Sequence, residues 1–186
     1  MKGIIAVCLK EMVIEKFGID KWGDLLIRAG ETRDISFLAT GDVEDRDIMT
    51  LIRAASEVLN MSMRELADVF GEYWINSFSQ KVYSSLYRRY KTAEEFILAI
   101  DSVHLDATRK IRNASPPRFD YVWKDTKTLL MTYTSRRNMI DFVAGLIRGV
   151  GKYYQEDLQV TKIDDNTLEV IFGDRSKGMP YPYEET

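Results

Sequence analysis

The fold class is decided by residues 115–123, Ser-Pro-Pro-Arg-Phe-Asp-Tyr-Val-Trp, because the hydrophobic pattern of the chain changes there. Before this stretch, apolar residues return every three or four positions, which predicts amphipathic helices. A residue that precedes a proline is disfavoured in helical geometry, so we expect the helical part to end here. From Phe119 onward, apolar and polar residues alternate, which predicts a β-strand.

Helix starts in the N-terminal part carry a recognisable polar signature. Ser62 is followed three residues later by Glu65, and Thr92 is followed in the same way by Glu95, so both pairs predict capping boxes. The helix that begins after Thr92 is expected to run to about Arg112. Earlier helices are expected to end at Gly18, at Gly30 and near Asn60.

After the prolines, we expect a small sheet that one helix crosses. Residues 119–123 and 129–133 alternate apolar with polar, which predicts two antiparallel strands. Residues 138–154 predict a helix, and residues 158–172 predict a final hairpin, followed by a loose polar tail. The expected fold class is α+β, with a helical N-terminal subdomain packed on a C-terminal antiparallel sheet crossed by a helix.

The composition excludes several kinds of site. The 186 residues include one histidine and one cysteine, so an intramolecular disulfide and any site with two imidazoles are excluded. A net charge of -3 argues against nucleic acid as a partner. No apolar run approaches the roughly 18 to 20 residues of a membrane span, so we expect a cytoplasmic protein without a membrane partner. Cys8 is interpreted as a small buried hydrophobe rather than a reactive thiol.

The single histidine, His104, has three possible roles on the apolar face of its predicted helix. It could be a core or boundary residue, a general acid or base, or an axial ligand of haem iron. No nearby carboxylate or nucleophile arrangement favours acid–base catalysis. Haem ligation needs one imidazole and an apolar cavity. Residues that could form such a cavity, or an ordinary core, are Ile5, Leu9, Trp74, Phe78, Phe96, Phe142 and Leu146.

A second candidate feature is the segment Tyr133-Thr134-Ser135-Arg136-Arg137. In extended geometry, alternate side chains point to the same side, so Tyr133, Ser135 and Arg137 could converge on one anion. Two hydroxyls and a guanidinium suit a carboxylate such as a haem propionate. The alternative is that Ser135 is an ordinary helix-start residue and Arg137 an ordinary surface cation.

Together these features resemble one family, the haem-nitric oxide/oxygen binding (H-NOX) domains, bacterial relatives of the haem domain of soluble guanylate cyclase. The resemblance covers nearly the whole chain and is most specific in His104 followed by Tyr-x-Ser-x-Arg. The other matching segments are residues 1–5, 54–59, 70–74, 116–117 and 145–149. It implies one H-NOX domain over residues 1–186, with a distal helical subdomain to about residue 60 and a proximal subdomain from about residue 61. Haem b would lie between them.

The resemblance also implies roles for individual residues. His104 would be the proximal iron ligand, and Tyr133, Ser135 and Arg137 would hold the propionates. Pro117 and Ile5 would press on the porphyrin and distort it. The remaining haem-contacting residues would be Leu9, Trp74, Phe78, Phe142 and Leu146.

In this family, the residues on the gas-binding (distal) side of the haem determine which gas is bound. Dioxygen-binding family members carry a distal tyrosine supported by a tryptophan and an asparagine, and the matching residues here are Phe142, Leu9 and Trp74. Because no tyrosine hydroxyl is present there, we expect binding of nitric oxide and carbon monoxide without a stable dioxygen complex. A dioxygen-binding protein and a haem-free interaction module of the same fold remain alternatives.

The signal produced by gas binding is expected to be transmitted to another protein. The sequence carries no recognisable catalytic arrangement, so we expect a sensor rather than an enzyme. The resemblance implies that nitric oxide weakens the iron–His104 bond and that the strain held by Pro117 and Ile5 then relaxes. Bacterial stand-alone relatives regulate a histidine kinase or a cyclic-di-GMP enzyme, and a partner of that class is implied here.

Overall fold

The computed structural model describes residues 3–31, 38–39, 41–109 and 115–173, without the side chain of residue 107. Its N-terminal part is helical. The elements in chain order are α1 (Ile4–Phe17), α2 (Ile19–Arg28), α3 (Asp45–Val58), α4 (Met63–Tyr73), a π-helical turn (Trp74–Phe78), α5 (Gln80–Tyr87) and α6 (Ala93–Thr108). We call residues 74–78 the π-turn.

The C-terminal part is an antiparallel sheet with one helix across it. Its elements are β1 (Arg118–Trp123), β2 (Thr128–Thr134), α7 (Ile140–Tyr154), β3 (Leu158–Lys162) and β4 (Thr167–Phe172). The strand order is β1-β2-β4-β3, and each neighbouring pair is antiparallel. The predicted α+β class and the change from helices to strands at residues 115–123 are therefore confirmed.

Local capping explains where α4 and α6 begin. At α4 the predicted capping box is confirmed, because Ser62 Oγ accepts from Glu65 N at 3.2 Å while Glu65 Oε2 accepts from Ser62 N at 2.8 Å. At α6, Thr92 Oγ1 accepts from Glu95 N at 3.1 Å, but the return bond comes from Lys91 N instead. The second box is therefore only half formed as predicted.

Two helix boundaries differ from expectation. Helix α6 ends at Thr108, and part of its predicted extension to Arg112 lies outside the described residues, as does the tail after Gly173. The π-turn and α5 were not predicted, since the apolar pattern through this region fits a continuing α-helix equally well.

The buried side chains form two groups. The helical cluster contains the buried faces of α1–α4 together with Phe78 and Phe142. The sheet cluster contains the buried side chains of α6, of most of α7 and of the sheet, together with Ile75 and Tyr87. Trp74 is packed against both clusters. It therefore lies at the junction of the two parts of the molecule.

Helices α4 and α7 cross at a contact that only glycine permits. A Cβ atom added to Gly71 would lie 2.1 Å from the carbonyl carbon of Gly145, and one added to Gly145 would lie 2.1 Å from the oxygen of Ala67. The backbones therefore touch directly, which joins the helical part to the sheet part. Within the described residues, no helix combines the length and apolar character needed to span a bilayer.

Candidate functional site

His104 lies on α6 with its ring against the sheet. It is partly buried, and its ring centroid is 5.7 Å from that of Phe119 on β1 in a stacked arrangement. Its Nδ1 atom is buried and has no hydrogen-bond partner among the described residues. Desolvation lowers the pKa of His104, and the negative charge of Asp101 opposes this effect. Burial therefore favours the neutral form of the imidazole, which is the form that a metal ligand requires.

An ion pair fixes α6 to the start of β1. Arg118 donates from Nε and Nη2 to the two carboxylate oxygens of Asp101, at 2.8 and 2.7 Å, and Phe119 N donates to the same carboxylate at 3.1 Å. This bidentate pair holds the pKa of Asp101 below its ordinary value. It also determines the position of Phe119 relative to the helix that carries His104.

The Tyr-x-Ser-x-Arg segment leaves the extended conformation sooner than expected. Tyr133 lies in β2, where it is buried and its ring is 5.7 Å from Phe119, but the strand ends at Thr134. The chain then turns, and Arg137 N donates to Ser135 Oγ at 3.3 Å. The extended geometry on which their convergence was predicted therefore fails after Thr134.

Arg137 connects three segments of the chain. Its Nε donates to Asp45 Oδ2 at 3.0 Å, and its Nη1 donates to the carbonyl of Ser115 at 2.8 Å. No described residue bonds to Nη2, so this nitrogen keeps both of its N–H donors. Pro117, half-buried, lies two residues beyond Ser115 and directly before β1. Arg137 thus binds α3 to the segment that contains Pro117.

Most of the predicted distal residues come together in the helical cluster. Leu9, Phe78 and Phe142 are buried there, and Ile5 packs at its edge. The aromatic members form a series of ring contacts. The centroid distances are 5.4 Å for Phe70–Phe142, 5.9 Å for Phe70–Trp74 and 5.4 Å for Trp74–Phe78. The indole nitrogen of Trp74 has no hydrogen-bond partner within the described part of the chain.

Three further candidates lie elsewhere or have a structural explanation. Leu146 packs against the sheet cluster. Phe96 stacks on Tyr87 with a centroid distance of 4.8 Å, which accounts for its burial. Cys8 is completely buried, and burial raises the pKa of its thiol well above the usual range, so the reactive thiolate is disfavoured.

The residues present fit a haem group. A neutral imidazole with a buried unpartnered nitrogen can supply an axial ligand. The hydroxyls of Tyr133 and Ser135 and the Nη2 donors of Arg137 are groups of the chemical type that binds carboxylates such as propionates.

Sequence reasoning missed Phe119 and Asp45 as members of this region. Alternation along β1 could have indicated Phe119, whereas Asp45 is 92 residues from its partner Arg137 and gives no local signal.

Comparison with known proteins shows the family. A family model described as Haem-NO-binding (HNOB) matches residues 2–162. The chain therefore belongs to this family of haem-binding gas-sensor domains, as the sequence resemblance predicted.

Among curated proteins, soluble guanylate cyclase gcy-37 from Caenorhabditis elegans is 24% identical over 171 residues. The match covers 89% of this chain and 24% of the cyclase. This chain thus spans about a quarter of the length of the curated relatives it matches.

Solved structures with the same fold include two in different ligation states. An H-NOX protein from S. oneidensis in the Fe(II)NO state has a TM-score of 0.81 and 19% identity, covering 94% of this chain and 100% of that one. The oxygen complex of an oxygen-binding H-NOX domain related to soluble guanylate cyclases has a TM-score of 0.76 and 25% identity, covering 94% and 96%.

Proposed function

We propose that this chain is a sensor that binds nitric oxide and carbon monoxide at ferrous haem b, excludes dioxygen and signals to a separate protein. The observation that carries the selectivity is Phe142. It is 5% exposed and contacts the ring of Phe70 edge-on at 5.4 Å, at the position where dioxygen-binding relatives carry a tyrosine. A bound dioxygen would therefore find no phenol donor there.

Different residues of the site are proposed to bind different parts of the haem. His104 would supply the nitrogen that binds the iron, while Tyr133, Ser135 and Arg137 would bind the propionates. Ile5, Leu9, Trp74, Phe78, Phe142, Leu146 and Pro117 surround the macrocycle. When bound, haem would supply a ferrous iron that binds diatomic gases.

Signal transfer is proposed to run through α6. His104 is held by this helix, and the bidentate pair of Asp101 with Arg118 links the helix to β1 directly after Pro117. A change in the bond between His104 and the iron would thus displace α6, and the displacement would be transmitted to β1 and the sheet. The proposed partner is a histidine kinase or a cyclic-di-GMP enzyme in the cytoplasm, and the chain itself is proposed to be non-catalytic.

A dioxygen-binding protein is the second candidate, because one observation favours it. The Trp74 indole N–H lacks a partner among the described residues, and an oxygen-binding relative is 25% identical. An indole donor facing the gas would stabilise bound dioxygen as a phenol does.

Absorption spectra of the ferrous, carbonyl, nitrosyl and air-exposed protein separate these functions. We expect a Soret band, gas-dependent shifts with nitric oxide and carbon monoxide, and no oxy spectrum in aerated buffer. A persistent oxy spectrum would support the second candidate, and a protein without a Soret band would refute both. His104→Gly, with imidazole added to replace the ligand, should retain haem but lose regulation of the partner.

A further inference from the structure

The π-turn follows α4 without a break and begins at Trp74. Ser79 N donates to Trp74 O at 2.9 Å, a bond that spans five residues instead of the four of an α-helix. Such a turn accommodates one extra residue and changes the direction of the side chains at its start relative to the preceding helix. The direction of the Trp74 side chain therefore depends on whether this turn persists.

Side chains hold the π-turn in place from two directions. The carbonyl of Ile75 accepts from Gln80 Nε2 at 2.7 Å and from the Ser79 hydroxyl at 3.4 Å. Asn76 Nδ2 donates at 3.1 Å to the carbonyl of Glu72 in α4 and at 3.1 Å to the carbonyl of Gly149 in α7. Asn76 is thus the side chain that binds the π-turn to α7.

The bond from Asn76 to α7 depends on a close approach of the two helices. A Cβ atom on Gly149 would lie 2.7 Å from the carbonyl oxygen of Gly71 in α4 and 3.1 Å from Cγ1 of Ile75, so glycine allows α7 to lie directly against α4 and the π-turn that follows it. Helix α7 also carries Phe142, which is connected to Trp74 through the ring of Phe70. The amide of Asn76 therefore joins the π-turn, which bears Trp74, to α7, which bears Phe142.

We propose that Asn76 is a positioning residue that sets the orientation of Trp74 toward the gas site by holding the π-turn against α7. This inference rests on the proposed function, because it assigns Asn76 an effect on a haem-bound gas. Trp74 is packed against both hydrophobic clusters, so a change in the π-turn would move a ring at their junction. The indole N–H would move with it.

The test compares Asn76→Leu with wild type and with a matched control. Leucine has the same branched shape but no donors, so it removes both bonds of Asn76. The control is Lys152→Ala, which removes the surface ion pair with the Glu72 carboxylate, another polar contact between α4 and α7, and leaves both carbonyls that Asn76 binds in place. The readouts are the C–O stretching band of the carbonyl form, the nitric oxide dissociation rate and the thermal unfolding midpoint.

We expect Asn76→Leu to shift the C–O band and to change the dissociation rate by about fivefold, the factor that corresponds to a typical neutral hydrogen bond. Lys152→Ala should leave both at the wild-type values. In a Trp74→Phe background, Asn76→Leu should have no further effect on the band. Should Asn76→Leu fold poorly, Gln80→Leu removes another side-chain bond to the π-turn and carries the same expectation.

Several results would overturn the inference. An unchanged band and rate in Asn76→Leu would do so, and so would a shift that persists with Trp74→Phe or appears equally in Lys152→Ala. If the wild type responds to nitric oxide while Asn76→Leu behaves identically, only this inference fails. A wild type without haem would end both this inference and the proposed function.

Discussion

Phe142→Tyr should convert the site into one that binds dioxygen. Phe142 is 5% exposed and surrounded by the helical cluster, so an added hydroxyl would be removed from water. Without a partner, a buried hydroxyl costs about 1–3 kcal/mol, so the free energy of unfolding of the haem-free variant should fall by about that amount. With dioxygen bound, the same hydroxyl gains a charged acceptor worth about 1.5–3 kcal/mol, or about one to two decades of dioxygen affinity.

The assay is a titration of the ferrous protein with dioxygen, followed by absorption. A parallel titration with carbon monoxide serves as a comparison, because bound carbon monoxide is stabilised much less by a hydrogen-bond donor. Phe172→Tyr is the matched control, because Phe172 is 3% exposed but lies on β4, in the sheet cluster. It should destabilise the protein in a similar way without changing dioxygen affinity. Equal dioxygen affinity in wild type and Phe142→Tyr, with the variant folded and haem-loaded, would refute the reasoning about the distal side.

Three further predictions follow from the same contacts. Arg137→Ala should release haem about 10- to 100-fold faster, as expected for a lost charge-assisted hydrogen bond, whereas Asp45→Ala should change haem release much less; transfer of haem to apomyoglobin measures both. The pKa of Asp101 is lowered from 3.8, so its stabilising effect is present above that pH and disappears as the pH falls through the lowered value. The difference in unfolding free energy between wild type and Asp101→Asn should therefore shrink in acid, as chemical denaturation will show. Gly145→Ala should cost about 1–3 kcal/mol because its Cβ meets backbone, whereas Gly23→Ala, with nothing within 4 Å, should stabilise α2 by about 0.5–1 kcal/mol; thermal unfolding distinguishes them.

Much of the fold could be predicted because its signals are local. The Ser62–Glu65 capping box depends on residues three apart, and the alternation along β1 and β2 depends on residues two apart. These patterns place apolar side chains on one face whatever the rest of the chain does. The segments that they identify as helices and strands are therefore found where expected.

The π-turn could not be predicted for the opposite reason. An α-helix and a π-helix have almost the same apolar spacing over five residues, and the choice depends on contacts made elsewhere. One of these is the bond from Asn76 to Gly149, which lies 73 residues away in the sequence. The π-turn is favoured only once α7 is packed against it.

The candidate site shows the same division between local and distant information. The sequence by itself determined which chemistry is available, since one imidazole, two hydroxyls and a guanidinium occur in a specific order, and it determined the helix and the strand that carry His104 and Tyr133. Only the tertiary structure decided that His104 stacks on Phe119, that Arg137 pairs with Asp45 across 92 residues, and that Trp74 lies between two cores. Side-chain type and periodicity are properties of neighbouring residues, whereas contacts between distant segments exist only after the helices and the sheet have packed.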